Sequence, residues 1–193
     1  MQGLFTRCAD NPIITVSDLP FAASAVYNPG ATERDGEVIL LVRIEDCRGF
    51  SNIHVARSAD GVSDWEVEEK PLLAYGRPEL RYESKGCEDP RVTYLPQDDT
   101  YMVCYVAYSA VGPAVGLAKT RDFEQAERAG LILSPSNKDT VMFPEKIKGI
   151  TRFCTGRSPA TKNTYGVPVR PISFIGASRT AFSSSGADPG GMG

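Results

Sequence analysis

The chain has a single histidine and a single tryptophan. A Ser-His-Asp or Cys-His centre would have to be built on His54, and no G-x-S-x-G elbow supplies its nucleophile. No C-x-x-C pair occurs among Cys8, Cys47, Cys87, Cys104 and Cys154. An odd, scattered set of that kind indicates neither a zinc site nor a disulfide framework, and it reads as free thiols in a reducing compartment. Basic excess is missing too: 21 Lys and Arg stand against 24 Asp and Glu, a net charge of −3, so the basic stripe of a nucleic-acid binder is not there. No apolar run approaches the roughly 20 residues that span a bilayer. The start, Met1 to Arg7, has no charged segment leading into an apolar one, so no signal peptide is expected and a cytoplasmic location is. Glycines fall outside the Walker and dinucleotide-binding spacings. Convincing helical periodicity is also scarce; Glu124 to Gly130 is the one short helix-like piece.

Strands are abundant. Val38 to Arg43 is a β-branched and aliphatic run entered through the turn signal Arg34-Asp35-Gly36. Ile53 to Ser58, Tyr101 to Val106 and Val115 to Thr120 are three more. Short strands separated by turn chemistry predict an all-β sandwich, barrel or propeller.

A repeat separates these options. Val38 to Arg43 and Tyr101 to Val106 both follow acidic turns and start about 60 residues apart. His54-Val-Ala-Arg-Ser-Ala-Asp and Gly116-Leu-Ala-Lys-Thr-Arg-Asp match at nearly the same offset. A Pro-centred segment precedes each pair, Asn28-Pro29-Gly30 and then Asp89-Pro90-Arg91, and Phe143-Pro144-Glu145 reads as a third. Self-similarity at this period indicates stacked four-stranded units, as in propeller blades, whereas a sandwich has no reason to repeat. About 60 residues per unit gives about three blades, and a propeller needs at least four to close. The expectation is an incomplete propeller over residues 1–149. Beyond Gly149 the strand pattern fades, and 150–193 reads as an aberrant or disordered tail ending in a Ser/Gly-rich stretch that cannot bury a core.

The densest cluster of chemistry is Gly86-Cys87-Glu88-Asp89-Pro90-Arg91-Val92. If the strand is regular, Asp89 and Arg91 share a face, and Pro90 holds Asp89 extended. The group is either a carboxyl presented in a channel beside a cation, or a charged turn with a local ion pair. Asn28 occupies the equivalent place one repeat earlier, suited to sugar hydroxyls as donor and acceptor. Arg43 ends an apolar strand and must be paired or face a cavity; Glu45 and Asp46 are the nearby partners. His54 and Trp65 read as structural.

Taken in order, Asn11-Pro12-Ile13-Ile14, Tyr27-Asn28-Pro29-Gly30-Ala31, Leu41 to Asp46, Ala56 to Gly61, Gly86 to Val92, and Asn137-Lys138-Asp139 through Phe143-Pro144-Glu145-Lys146-Ile147 resemble glycoside hydrolase family 130 from about residue 8 to 149. The resemblance implies a five-bladed β-propeller with its site in the central funnel. It implies inverting phosphorolysis, or in some members hydrolysis, of β-mannosidic bonds. It makes Asp89 the general acid, delivering its proton through a sugar hydroxyl. It makes Asn28 and Arg43 sugar contacts in the donor subsite, and Glu88, Arg91 and Asp139 are further candidate substrate contacts. The expected partners are a β-mannoside oligosaccharide and inorganic phosphate as co-substrate, with no cofactor and no metal; a homo-oligomer is compatible with it. A phosphorylase needs one carboxyl acid plus cations for the phosphate dianion, and Lys138 and Lys146 are the candidates. A hydrolase needs a second carboxylate to activate water. An inverting β-mannosidase and a non-catalytic carbohydrate-binding fragment are the alternatives.

The family continues after Phe-Pro-Glu-Lys-Ile with a strand ending in His-Arg-Pro; here the text reads Gly149-Ile150-Thr151-Arg152-Phe153-Cys154. Family-like text returns at Ala160 to Pro168 and then stops. A natural linker is one explanation; a frame slip near residue 150, with a second after Pro168, is the sharper one, and it would leave this polypeptide poorly active or inactive. Translation of the coding DNA in its other two frames is expected to restore a strand pattern with His-Arg-Pro. Failure in both frames contradicts the slip.

Overall fold

The computed structural model describes residues 8–157 and 172–173. It is all β apart from two short 3-10 turns, Val16–Asp18 and Arg81–Glu83. The strands are β1 (Ala25–Arg34), β2 (Glu37–Glu45), β3 (Ser51–Ser58), β4 (Glu66–Val67), β5 (Gly86–Leu95), β6 (Thr100–Ser109), β7 (Gly112–Thr120), β8 (Glu127–Leu133), β9 (Asn137–Met142), β10 (Arg152–Arg157) and β11 (Ile172–Ser173). β1 to β4 form one antiparallel meander and β5 to β8 a second. One parallel bridge, Ser51 to Gly86, joins them. β9 to β11 form a separate three-stranded sheet. Among the described residues the larger sheet is open, its order running from β1 to β8.

The repeat inferred from the sequence is this duplication of meanders. Ala25 and Gly86, Ser51 and Gly112, and Glu66 and Glu127 begin corresponding strands, each pair 61 positions apart. The first hairpin closes through Asp35 and Gly36, both at positive φ (54° and 85°), the two-residue geometry that matches strand twist.

β2 and β6 are apolar on both faces because both faces are covered. Ile39 and Leu41 of β2 pack with Ile53, Val55, Val103, Tyr105 and Phe123 in a core between the two meanders. Leu40, Val42, Ile44 and Ala56 on the opposite face are covered by Ile13, Ile14, Leu19, Phe21 and Trp65. Cys104 of β6 packs with Met142 and Phe153, which seats β9 and β10 on the second meander. The units therefore stack face to face, each supplying half of the next core.

Three expectations change. Glu124 to Gly130 is not helical: Glu127 and Arg128 pair with Lys119 and Ala118 as the start of β8, because cross-strand bonding outweighs weak local propensity. Strand structure runs past residue 149, since Arg152–Arg157 pairs with β9; the rest of the expected tail, apart from 172–173, lies outside the described residues. Phe143-Pro144-Glu145 follows β9 rather than sitting within it, so it is not the third counterpart of Asn28-Pro29 and Asp89-Pro90.

Gly30 holds the meanders close together. A Cβ built there falls 2.8 Å from the carbonyl oxygen of Pro90 and 3.4 Å from the Val92 nitrogen. Backbone cannot give way as a side chain can, so Gly30→Ala is expected to lose about 1–3 kcal/mol of stability, read as a lower urea midpoint. An unchanged midpoint contradicts the close approach.

Candidate active site

The ladder breaks beside a proline in both meanders, one position apart in the repeat. In β1, Val26 faces Ile44 and Pro29 faces Val42, so Tyr27 and Asn28 oppose the single residue Arg43. In β5, Glu88 faces Val106 and Arg91 faces Cys104, so Asp89 and Pro90 oppose the single residue Tyr105. These are β-bulges, which re-aim side chains and terminate pairing. Proline has no N–H to give, and Pro90 sits inside the β5 bulge, whereas Pro29 directly follows the β1 bulge and faces Val42. Asp89 lies at φ 47°, in the left-handed region that aspartate tolerates better than most residues.

A third bulge follows in the smaller sheet. Thr140 faces Thr155 and Lys138 faces Gly156, leaving Asp139 as the extra residue at φ 55°. Asp139, not Pro144, is thus the third member of the series. Its carboxylate is 3.7 Å from the Lys138 ammonium, and both side chains are nearly half exposed.

Arg43 gathers the centre of the site. Its Nη1 donates to Asp89 Oδ1 at 3.0 Å, its Nη2 lies 3.3 Å from Glu88 Oε1, and its Nε donates to Ser51 Oγ at 2.9 Å. The guanidinium stacks over the Tyr27 ring, 4.7 Å from the centroid. Side-chain exposure is 18% for Arg43, 17% for Glu88 and 16% for Asp89. A planar fork held on all its edges is an efficient way to order two carboxylates.

Two sequence-level pairings are therefore replaced. Arg43 reaches across to the second meander rather than to Glu45 or Asp46. The cation beside Asp89 is Arg43, not Arg91, because the bulge cancels the alternation that would put 89 and 91 on one face; Arg91 Nη1 donates to the Pro90 carbonyl at 3.0 Å. Asn28 is exposed on the β1 bulge, next to Tyr27. Lys138 is near enough to Glu88 for its charge to favour the carboxylate. Lys146 instead lines a cavity of about 350 Å³ with Asp98, Met102, Met142 and Phe153, and the structure does not join it to the Arg43 group. His54 is buried, stacked on Phe21, with Nδ1 3.0 Å from the Glu68 carbonyl. Trp65 is half-buried and packs against the Leu40, Val42, Ile44 and Ala56 cluster.

Tyr27 and Ser51 were not singled out from the sequence. Tyr27 carries a signal, its place directly before Asn28; Ser51 carries none, since its role depends on a bridge between meanders. Among the described residues, no three His, Cys, Asp or Glu side chains are grouped to hold a metal ion.

Burial pushes the Glu88 carboxyl above its ordinary value of 4.5, with the neighbouring Asp89 charge adding to the rise and Arg43 opposing it. A carboxyl raised on folding binds more protons folded than unfolded, so its contribution to stability falls as pH rises through that window. Relative to Glu88→Gln, the wild type is expected to lose stability as pH climbs from about 4.5 toward neutrality. Urea midpoints of both proteins across that range check this; a relative gain for the wild type contradicts it.

The family model Glyco_hydro_130, described as beta-1,4-mannooligosaccharide phosphorylase, matches residues 11–162. A beta-1,2-mannobiose phosphorylase of Listeria innocua is 33% identical over 74% of this chain and 55% of its own length. A 1,2-beta-oligomannan phosphorylase of Thermoanaerobacter is 29% identical over 74% of this chain and 50% of its own. The solved complex of the Listeria innocua beta-1,2-mannobiose phosphorylase with beta-1,2-mannobiose superposes with a TM-score of 0.71 at 28% identity, covering 86% of this chain and 62% of that one. The chain thus spans about half the length of the curated relatives it matches. On the match to residues 11–162, the chain belongs to glycoside hydrolase family 130.

Proposed function

We propose that the chain carries the acid half of a phosphorylase that cleaves β-mannosidic bonds with inorganic phosphate and inversion. The observation that carries the reading is the Arg43 fork, which orders Glu88 and Asp89 on a bulge beside the exposed Asn28. The named activities of the relatives, each a mannoside phosphorylase, support the substrate class.

In this reading a mannosyl residue lies over the bulges of β1, β5 and β9. Asn28, Arg43, Glu88 and Asp139 take its hydroxyls, and Asp89 sends its proton toward the leaving oxygen. A phosphate oxygen attacks the anomeric carbon from the opposite face as the C1–O bond breaks, giving mannose 1-phosphate and the shortened acceptor. One carboxyl acid is enough, because phosphate is the nucleophile and no base has to activate water. Lys138, whose charge reaches Glu88, is read as the cation that meets the dianion. No cofactor enters.

The architecture belongs to the same proposal. The meanders β1–β4 and β5–β8, with β9–β11, are read as successive blades of a five-bladed propeller, their innermost strands β1, β5 and β9 carrying the three bulges toward a common axis. The propeller part then continues through β10 rather than ending at residue 149.

Assay of a mannosyl disaccharide is expected to show phosphate-dependent release of mannose 1-phosphate. Asp89→Asn is expected to lower the rate by about 10²–10⁴, the usual worth of a positioned acid. Release of free mannose without phosphate contradicts phosphorolysis and supports hydrolysis; sugar binding that survives Asp89→Asn, with no turnover by the wild type, supports a binding fragment.

A further inference from the structure

Behind the bulge lies a buried ion pair that the proposed chemistry does not use. Glu83, in the 3-10 turn between the two meanders, is fully buried. Arg128 of β8, 8% exposed, gives its Nε to both carboxylate oxygens, at 3.1 and 2.9 Å, and its Nη2 to the Ala74 carbonyl at 2.9 Å. The Tyr105 hydroxyl donates to Glu83 Oε1, and the Cys87 thiol to Oε2 at 3.4 Å. Burying two charges costs several kcal/mol per ion, and apolar residues of the same volume would serve stability as well or better. A purely cohesive role is therefore a poor account of this cluster.

Its location offers a better one. Tyr105 is the single residue that faces both Asp89 and Pro90 across the bulge. Cys87 directly precedes Glu88. Both strands of the bulge are thus tied to one carboxylate, β5 through Cys87 and β6 through Tyr105. Room for the Tyr105 ring comes from its cross-strand partner Gly116, where any Cβ would overlap the ring carbon and hydroxyl. Arg128 fixes the carboxylate from the outermost strand of the same meander and from the connector at Ala74 at once. Burial and Glu83 together raise Tyr105, and burial raises Cys87, so both keep their protons and remain donors.

We propose that Glu83, held by Arg128, is a positioning residue that sets the bulge bearing Glu88 and Asp89, acting through Tyr105 and Cys87. Its consequence for turnover rests on the proposed phosphorylase reading; its consequence for bulge geometry does not.

The test is Tyr105→Phe in the full chain, which removes only the hydroxyl. Two readouts are taken: backbone amide chemical shifts of residues 88, 89 and 91, and kcat and KM for phosphorolysis of a mannosyl disaccharide. The expected result is displaced amide shifts at those positions, a tenfold or greater fall in kcat, and KM changed less than twofold. Amide shifts unmoved at the bulge overturn the proposal whatever the kinetics. Moved shifts with unaltered kcat also overturn it, leaving a structural role. Moved shifts in a protein whose wild type turns nothing over uphold the positioning and count against the phosphorylase reading instead. If Tyr105→Phe does not fold, Cys87→Ala, which removes the other donor to Glu83, is read in the same way.

Discussion

The candidate site depends on one cation crossing between two repeated units. Arg43 belongs to the first meander, and the carboxylates it orders, Glu88 and Asp89, belong to the second. The ladder bonds within either meander and the apolar core shared between them do not involve its guanidinium. Between them, the ladder contributes the Ser51–Gly86 bridge; Tyr101 to the Glu33 carbonyl and Arg57 to the Asp122 carbonyl add side-chain hydrogen bonds across the seam, and the guanidinium of Arg43 is the link that orders the two carboxylates. Ser51 links the two facts, as it pairs with Gly86 through its backbone and accepts from Arg43 Nε through its hydroxyl. Gly30, pressed against Pro90, lets the two bulges come near enough for the fork to reach.

Bulges are the second device. A regular strand alternates its faces and would scatter Glu88, Asp89 and Arg91 in a fixed pattern. An extra residue at 27–28, at 89–90 and at 139 breaks that pattern in β1, β5 and β9. The residues carried there differ (an amide at 28, a carboxyl at 89, a lysine–aspartate pair at 138 and 139), so one backbone solution presents three chemistries. Repetition supplies the scaffold, and side-chain divergence supplies the asymmetry.

Much of the fold was legible in the sequence because it rests on local signals. The four apolar runs became β2, β3, β6 and β7, and the 61-residue duplication follows the repeat seen in the text. Asn28, Arg43, Glu88 and Asp89 could be named because proline and isolated charge mark them. What stayed hidden depends on register and on contacts far apart in sequence. Nothing local says that Arg43 chooses Glu88 and Asp89 over Glu45 and Asp46, that Asp89 turns left-handed, or that Arg128 meets Glu83 inside the core. Glu124 to Gly130 was misread for the same reason, since its strand character comes from its neighbour β7. Proline misled once: Pro144 resembled a third marker, while the third bulge sits at Asp139, which needs no proline.

The central claim is that Arg43 couples energetically to Asp89 across the seam. A double-mutant cycle on urea unfolding, with Arg43→Met, Asp89→Asn and the pair, measures that coupling directly. The account predicts an interaction energy of roughly 1–3 kcal/mol, as for contacting residues in one network. Additivity within about 0.5 kcal/mol, the behaviour of independent sites, would contradict it.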